Sequence, residues 1–140
     1  MASSIRAVAT SRGGYAADVV MREHSVRVDE PLRDGGSETG PMPTELLCAA
    51  LASCFLLALQ FVAGKRDLEL PGLEVVATAE RADREPRYGR FVVDARCTRP
   101  CAEWEHLIAR AATVCWVSNT LSGGADVVYR ITEFNAHLPE

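Results

Sequence analysis

The sequence predicts an α+β fold, in a single domain that spans residues 1–140. Three observations lead to this prediction: the length is typical of one domain, short strand patterns stand on both sides of a long apolar helix, and two further helices follow one another. The predicted order is β-β-β-α-β-β-α-α-β. Because the helices do not alternate singly with the strands, this order favours an α+β arrangement over a doubly wound parallel sheet.

The first forty residues are typical of short strands joined by turns. Hydrophobic residues and period-two alternation predict strands over three segments: 5–10, 15–21 and 25–28. The segment 11–14, which contains Arg12, marks the first turn, and the Gly- and Pro-rich segment 33–43 is predicted to be a loop.

The longest feature is an apolar helix predicted from about Pro43 to Ala63. Proline suits the first helical turn, Glu45 is placed against the positive helix end, and Gly64 marks the stop. The 18 residues from 46 to 63 hold only two clearly polar side chains, which reaches the length of a membrane span. We favour a buried core helix, because the predicted strands have apolar faces to bury. The excess apolar surface of this helix predicts a partner subunit.

The second half of the chain contains the remaining strands. Segments 73–79 and 88–96 are predicted strands, and the charged segment 80–87 between them indicates a hairpin. A last strand is predicted over 127–132.

Two helices are predicted between the hairpin and the last strand. The first spans 102–115, and the second is short and is ended by Gly123. Residues at helical spacing give the longer helix one apolar face: Trp104, Leu107, Ile108, Ala111, Ala112 and Cys115.

Composition excludes some classes of function. The formal net charge is −4 and the pI is about 5.4, which argues against nucleic acid as a partner. The five cysteines are an odd number and do not indicate a secreted disulfide framework, and residues 1–6 lack the apolar core of a signal peptide. The predicted location is therefore the cytoplasm, with no membrane partner.

Cys54 and Cys115 each lie in an apolar segment where no polarity pattern requires a thiol. If the fold brings them together, the chain has a reactive thiol and a second thiol that resolves its oxidation. Cys97, Cys101 and His106 provide part of a metal-ligand spacing, but a fourth ligand is missing and position 106 falls on the outward helix face. We therefore expect no metal.

Several motifs together resemble one known family. They are the segments 24–31, 35–36 and 40–47, and the two cysteine-containing segments 49–54 and 115–121. In this order and at this separation they are similar to the OsmC/Ohr family, the osmotically inducible and organic-hydroperoxide-resistance proteins, and specifically to its OsmC-like branch. The likeness spans roughly residues 19–134.

The resemblance implies both a fold and an activity. The implied fold has antiparallel sheets wrapped around a long buried central helix, in an intertwined homodimer whose two active sites combine both subunits. Characterised members reduce organic hydroperoxides with a peroxidatic cysteine, resolve the product with a second cysteine, and are reduced by dithiols, lipoylated proteins in particular. The family uses no metal or bound cofactor.

The resemblance also assigns roles to residues. Cys54 matches the peroxidatic position and Cys115 the resolving position. The family's arginine is matched first by Arg12 and second by Arg27. The glutamate of the hydroperoxide-resistance branch lies ten residues before the cysteine, where this chain has Thr44; Glu45 lies nine before.

Glu45 and Trp116 are the two remaining points of comparison. Nine residues on a regular helix are about half a turn out of phase, so an irregular helix start or a contact across the dimer is needed to bring Glu45 to Cys54. Trp116 replaces the family's proline after the second cysteine.

The chemistry explains why these residue types are needed. An ordinary thiol is mostly protonated at neutral pH and burial disfavours the thiolate, so a permanently charged arginine must offset both effects. Apolar walls are expected to favour organic hydroperoxides over hydrogen peroxide; they would come from Leu46, Leu47, Leu51, Phe55 and Trp116. The alternative function is a dimeric OsmC-like protein that binds a small apolar ligand, which the departures at Thr44 and Trp116 favour.

Overall fold

The computed structural model describes residues 3–99 and 101–131, and the fold is α+β, as predicted. A 3-10 turn at Leu32–Asp34 precedes the first helix. The strands and helices are β1 (Val8–Ser11), β2 (Ala17–Met21), β3 (His24–Val28), α1 (Pro43–Gly64), β4 (Glu74–Arg81), β5 (Tyr88–Arg96), α2 (Trp104–Val114) and α3 (Trp116–Gly123).

The first three strands form an antiparallel sheet in the order β1-β2-β3. The register places Asp18 opposite Thr10 on one side and opposite Arg27 on the other, so the three side chains share one face of the sheet. The first strand begins at Val8 rather than at residue 5, because its pairing with β2 begins at the pair Val8 and Val20.

A buried carboxylate organises the loop before α1. Asp29 is only 2% exposed, and its side chain accepts hydrogen bonds from the amides of Glu30, Ser37 and Thr39. The Thr39 hydroxyl also donates to it, at 2.7 Å, and the Asp29 amide donates to the Pro41 carbonyl at 3.1 Å. These bonds lower the pKa of Asp29, the Thr39 hydroxyl most of all. The loop is thereby folded back on β3 and leads directly into α1.

Helix α1 begins at the predicted residue and for the predicted reason. Pro43 occupies its first position, and the Glu45 carboxylate accepts a hydrogen bond from the Met42 amide at 2.8 Å. The helix continues to Gly64, and the chain then turns so that the Leu68 amide donates to the Ala63 carbonyl. With 22 residues and a mean hydropathy of 2.3 in its most apolar window, α1 is long and apolar enough to cross a membrane.

The core lies between α1 and α2, with the β4-β5 hairpin packed on α1. Leu59 and Leu107 are fully buried where the two helices meet. The buried residues of this cluster are Phe55, Ala58, Leu59, Val62, Ala63, Leu107, Ala111 and Cys115. The predicted apolar face of α2 is therefore correct at Leu107, Ala111 and Cys115, whereas Ala112 is exposed.

The predicted last strand is not present in the part of the chain that the structure describes. Residues 127–131 have no regular structure and their apolar side chains are exposed, and Thr132 lies outside the described residues. A strand forms only where its backbone hydrogen-bonds to a neighbouring strand. Among the described residues of the single chain, neither sheet pairs with this segment.

Two surfaces are left uncovered in the single chain: an apolar face of α1 and the sheet β1-β2-β3. On α1, Leu57 is 62% exposed and Phe61 is 57% exposed, so the prediction of a buried central helix is correct for only one of its faces. The sheet β1-β2-β3 makes no extensive contact with any helix among the described residues. Both surfaces are what a partner subunit would cover.

Candidate active site

The structure brings together the two cysteines that the sequence singles out. Cys54 lies at the middle of α1 and is half-buried, and Cys115 is the residue between α2 and α3 and is fully buried. The two thiols are neighbours: Cys54 packs against the core cluster that contains Cys115, and its thiol is one of the groups that lower the pKa of Cys115. Both pack against the helical core, so the pair is held by α1 and by the junction of the last two helices.

Local backbone geometry explains the position of Cys115. Its amide donates to the Ala111 carbonyl and completes α2, while its own backbone is extended, with φ −78° and ψ 106°. Its carbonyl accepts hydrogen bonds from the Asn119 amide at 3.0 Å and from the Ser118 hydroxyl at 3.2 Å. The residue therefore ends one helix and caps the next, which places its thiol at the positive end of α3.

The surroundings of Cys115 favour its thiolate. Burial raises the pKa of this thiol, but hydrogen bonds from the Ser118 side chain and amide, the Cys54 thiol and the Val117 amide outweigh burial and lower the pKa. The predicted resolving cysteine therefore lies among polar groups that favour its thiolate.

Glu45 is not brought to the thiol pair within one chain. Its carboxylate is hydrogen-bonded to the Met42 amide at the helix start. Nine residues separate it from Cys54, which corresponds to about 13 Å of helix rise and about half a turn of rotation. The helix start is regular, so the irregularity that would bring Glu45 to Cys54 is not found there.

The two candidate arginines lie together, away from the cysteines. The Nε atoms of Arg12 and Arg27 each donate to a different oxygen of Asp18, both at 2.6 Å. In residues 3–99 and 101–131, no hydrogen bond or ion pair joins either guanidinium to Cys54. The arginines therefore belong to the N-terminal sheet, on the surface that a single chain leaves without helical support.

Sequence reasoning missed Asp18. The two guanidiniums, Arg27 first and Arg12 second, lower the pKa of this carboxyl to about 2, so it is ionised throughout the neutral range. The available signal was a lone carboxylate in the apolar strand Ala17–Met21. Its pairing with Arg27 depends on strand register, which the sequence did not fix.

Two cavities lie near the thiol-bearing helix. One, of about 560 Å³, has a largely apolar wall and lies between the start of α1 and the hairpin; it is lined by Pro41, Met42, Thr44, Glu45, Leu46, Cys48, Ala49, Ala79 and Tyr88. The other, of about 460 Å³, is lined in part by Leu51, Phe91 and Ser118, and so it borders the residue that donates to Cys115. Trp116 is 83% exposed beside the buried thiol.

The predicted partial metal spacing does not assemble into a site. Among the residues that the structure describes, no three His, Cys, Asp or Glu side chains are grouped to hold a metal ion. His106 Nε2 instead lies 2.8 Å from an Arg66 Nη atom, and Arg66 also pairs with Glu103. These contacts join the end of α1 to α2.

Comparison with known proteins identifies the family. A model of the OsmC-like protein family matches residues 35–130, which is more than half of the chain. The chain belongs to the OsmC-like protein family. Among curated protein sequences, none matches it.

Solved structures of OsmC-like proteins share the fold. An organic hydroperoxide resistance protein of Legionella pneumophila is 25% identical, with a TM-score of 0.69 and coverage of 89% of this chain and 93% of the other. The organic hydroperoxide resistance protein OhrB of Bacillus subtilis is 22% identical, with a TM-score of 0.61 and coverage of 89% and 94%. An OsmC-like protein of Mycoplasma pneumoniae is 18% identical, with a TM-score of 0.72 and coverage of 89% and 91%.

These comparisons confirm the OsmC-like fold and the family resemblance. They relate the chain to proteins that are named for hydroperoxide resistance. Within this fold α1 packs against α2 and β4, which supports the prediction that α1 is a core helix rather than a membrane span.

Proposed function

We propose that this OsmC-like protein reduces organic hydroperoxides, with Cys54 as the peroxidatic cysteine and Cys115 as the resolving cysteine. The observation that carries the proposal is the contact between the two thiols, one half-buried on α1 and one buried at the start of α3. A second support is the set of donors around Cys115, which favours the thiolate that resolution requires.

The proposed reaction has three steps. The Cys54 thiolate attacks the terminal oxygen of the hydroperoxide: an S–O bond forms, the O–O bond breaks, and the departing alkoxide takes a proton and leaves as an alcohol. The Cys115 thiolate attacks the resulting sulfenic acid: an S–S bond forms, the S–O bond breaks, and water leaves. A dithiol or a lipoylated protein then reduces the disulfide by two exchange steps and is itself oxidised to a disulfide.

The first step requires a cation, and within residues 3–99 and 101–131 of one chain no Lys or Arg is paired with Cys54. We propose a homodimer in which the sheet β1-β2-β3 covers α1 of the other subunit, so that Arg12, with Arg27 as the second candidate, lies beside the partner subunit's Cys54. The exposed apolar face of α1 and the unsupported sheet favour this assembly. The proposed site works in the cytoplasm and without a bound cofactor or metal.

The walls near the thiols favour an organic substrate. Leu51 and Phe55 are buried within one turn of Cys54, and an apolar surface stabilises a hydrocarbon group better than it stabilises hydrogen peroxide. We expect faster turnover of cumene hydroperoxide than of hydrogen peroxide; a preference for hydrogen peroxide would contradict this substrate class.

The second candidate function is binding of a small apolar ligand without turnover. The cavity of about 560 Å³ at the start of α1 favours it, because its wall is largely apolar and includes Thr44 rather than a second carboxylate. A rise in Tm on addition of cumyl alcohol, in a protein whose thiols do not react with peroxide, would support this function.

The test of the proposed function is the oxidation state of each thiol. Reduced protein is mixed with one equivalent of cumene hydroperoxide and its disulfides are mapped by mass spectrometry. We expect a rapid Cys54–Cys115 disulfide, and we expect Cys54→Ser to abolish peroxide consumption while the protein remains folded.

Cys48→Ser is the matched control, because Cys48 is also half-buried on α1, six residues earlier. It should consume peroxide at the wild-type rate. Unreacted thiols in the wild-type protein, or oxidation confined to Cys97 and Cys101, would exclude the peroxidase and leave the binding function.

A further inference from the structure

The carboxylate of Asp18 binds two arginines at once. Each oxygen accepts from one Nε atom at 2.6 Å, so Arg12 and Arg27 are fixed on either side of a single group. The Asp18 side chain is 24% exposed, and the two arginine side chains are 53% and 40% exposed. One negative and two positive charges leave the cluster with a net charge of about +1.

The terminal amino groups of both arginines remain available. Only Nε is used in each pair with Asp18, and in the described ranges no hydrogen bond is made by the Nη atoms of Arg12 or Arg27. A guanidinium has five N–H donors, so four N–H donors of each arginine are not used in the contact with Asp18. Such a pair of ordered guanidiniums is suited to bind an anion, and a thiolate is one.

Helix α1 has no charged group of its own for this purpose. Between Pro43 and Gly64 it contains no Lys or Arg and a single acidic residue, Glu45, which is bound to the Met42 amide. The charge that favours the Cys54 thiolate must therefore come from another element, and so must any carboxylate that orients that charge.

We infer that Asp18 is a positioning residue that clamps Arg12 and Arg27 side by side, so that their free amino groups form one cationic site for the partner subunit's Cys54. The inference rests on the homodimer of the proposed function. Asp18 acts through the arginines and does not itself contact the substrate. The cluster lies on the one sheet that lacks helical support in its own chain, which is the position from which it can reach a second subunit.

If Asp18 holds the arginines in place, its substitution should change the rate of peroxide reduction in a specific direction. Asp18→Asn removes a negative charge, so if the arginines stayed in place the Cys54 thiolate would be favoured and peroxide reduction would accelerate. If the carboxylate is needed to hold the two guanidiniums, they become disordered in the variant and no longer place positive charge beside Cys54. The Cys54 thiolate is then stabilised less and the reaction slows. The two outcomes differ in direction and not only in size.

The experiment measures two properties of each dimeric variant. The first is the second-order rate constant with cumene hydroperoxide in stopped flow. The second is the pH dependence of iodoacetamide alkylation at Cys54, resolved by peptide mass spectrometry. For Asp18→Asn we expect a rate constant lower by about tenfold or more and an alkylation profile displaced to higher pH, since an adjacent cation changes a thiol pKa by one unit or more. Asp18→Glu should recover most of the rate.

Two further variants complete the comparison. Arg12→Ala combined with Arg27→Ala should lose as much rate as Asp18→Asn, and adding the third substitution should cause little further loss, because the three residues act as one unit. Glu74→Gln is the matched control: it breaks the cross-strand pair between Glu74 and Arg96 on the other sheet and should leave both measurements unchanged.

The results separate this inference from the proposed function. If Asp18→Asn lowers only the thermal stability, or if its rate equals or exceeds that of the wild type, Asp18 is a structural residue and the inference is wrong. If the wild type does not reduce the peroxide, the proposed function fails, and the alkylation profile still decides about the clamp. An unchanged Cys54 profile in Asp18→Asn would then overturn it.

Discussion

The hydroxyl of Ser118 is expected to control how fast an oxidised Cys54 is resolved. This hydroxyl donates to the Cys115 carbonyl at 3.2 Å and lies close enough to the thiol to lower the pKa of Cys115, together with the Ser118 and Val117 amides, against the effect of burial. Ser118→Ala removes the hydroxyl and keeps both amides. A hydrogen bond to a charged group contributes about 1.5–3 kcal/mol, and about 1.4 kcal/mol corresponds to a factor of ten. We expect the pKa of Cys115 to rise and disulfide formation at pH 7 to slow by about tenfold.

The assay follows both thiols after a peroxide pulse. Slower resolution leaves Cys54 as sulfenic acid for longer, so at excess cumene hydroperoxide the fraction over-oxidised to sulfinic acid should increase, while the initial rate of peroxide loss stays unchanged. Ser118→Thr keeps a hydroxyl and should restore resolution. If Ser118→Ala forms the disulfide as fast as the wild type with no additional sulfinic acid, the hydroxyl has no role in resolution and this reasoning is refuted.

The same shift predicts how stability depends on pH. Because the folded pKa of Cys115 is depressed, its stabilising contribution is complete above the pKa of an unfolded cysteine, about 8.5, and is lost as pH falls through the folded pKa. Ser118→Ala should therefore lower the free energy of unfolding more at pH 9 than at pH 6, as measured by urea denaturation under reducing conditions. An equal loss at both pH values would contradict the assignment.

Two further predictions concern α1 and the core. Leu107→Ala should lower the free energy of unfolding by about 2–5 kcal/mol in urea denaturation, because Leu107 is fully buried against α1; Leu32→Ala, at an exposed position, should have little effect, and equal losses would contradict the assigned core. Glu45→Ala should lower that free energy by about 0.5–2 kcal/mol through loss of the helix cap and leave the peroxide rate unchanged. A lower peroxide rate without a lower free energy of unfolding would instead indicate that Glu45 acts in the active site.

The sequence predicted the features that depend on neighbouring residues. Pro43 and Glu45 marked the start of α1, and the helical spacing of Leu107 and Ala111 identified the buried face of α2. These predictions succeeded because caps and periodicity are local properties of a helix. The segment containing Cys115 was less simple, since it ends one helix and begins another, which no periodicity reveals.

The features that the sequence did not predict depend on pairing between distant segments. Asp18 meets Arg27 only because β2 and β3 adopt one register, and a shift of one residue would place them on opposite faces of the sheet. Likewise, 127–131 has the composition of a strand but no strand beside it in a single chain. Composition indicates that a segment can form a strand; whether it does depends on a neighbouring strand, in the same chain or in another subunit.

The thiol pair and the arginine cluster lie in two different regions of the chain, which matters for the proposed reaction. The thiol pair lies within one chain, held by α1 and the start of α3, so the proposed disulfide would need no second subunit to form. The arginine cluster lies on the sheet that its own helices do not cover among the described residues, so in the proposed reaction activation of Cys54 would need a second subunit. Association of subunits would therefore control the first chemical step and leave the second step intrinsic to each chain.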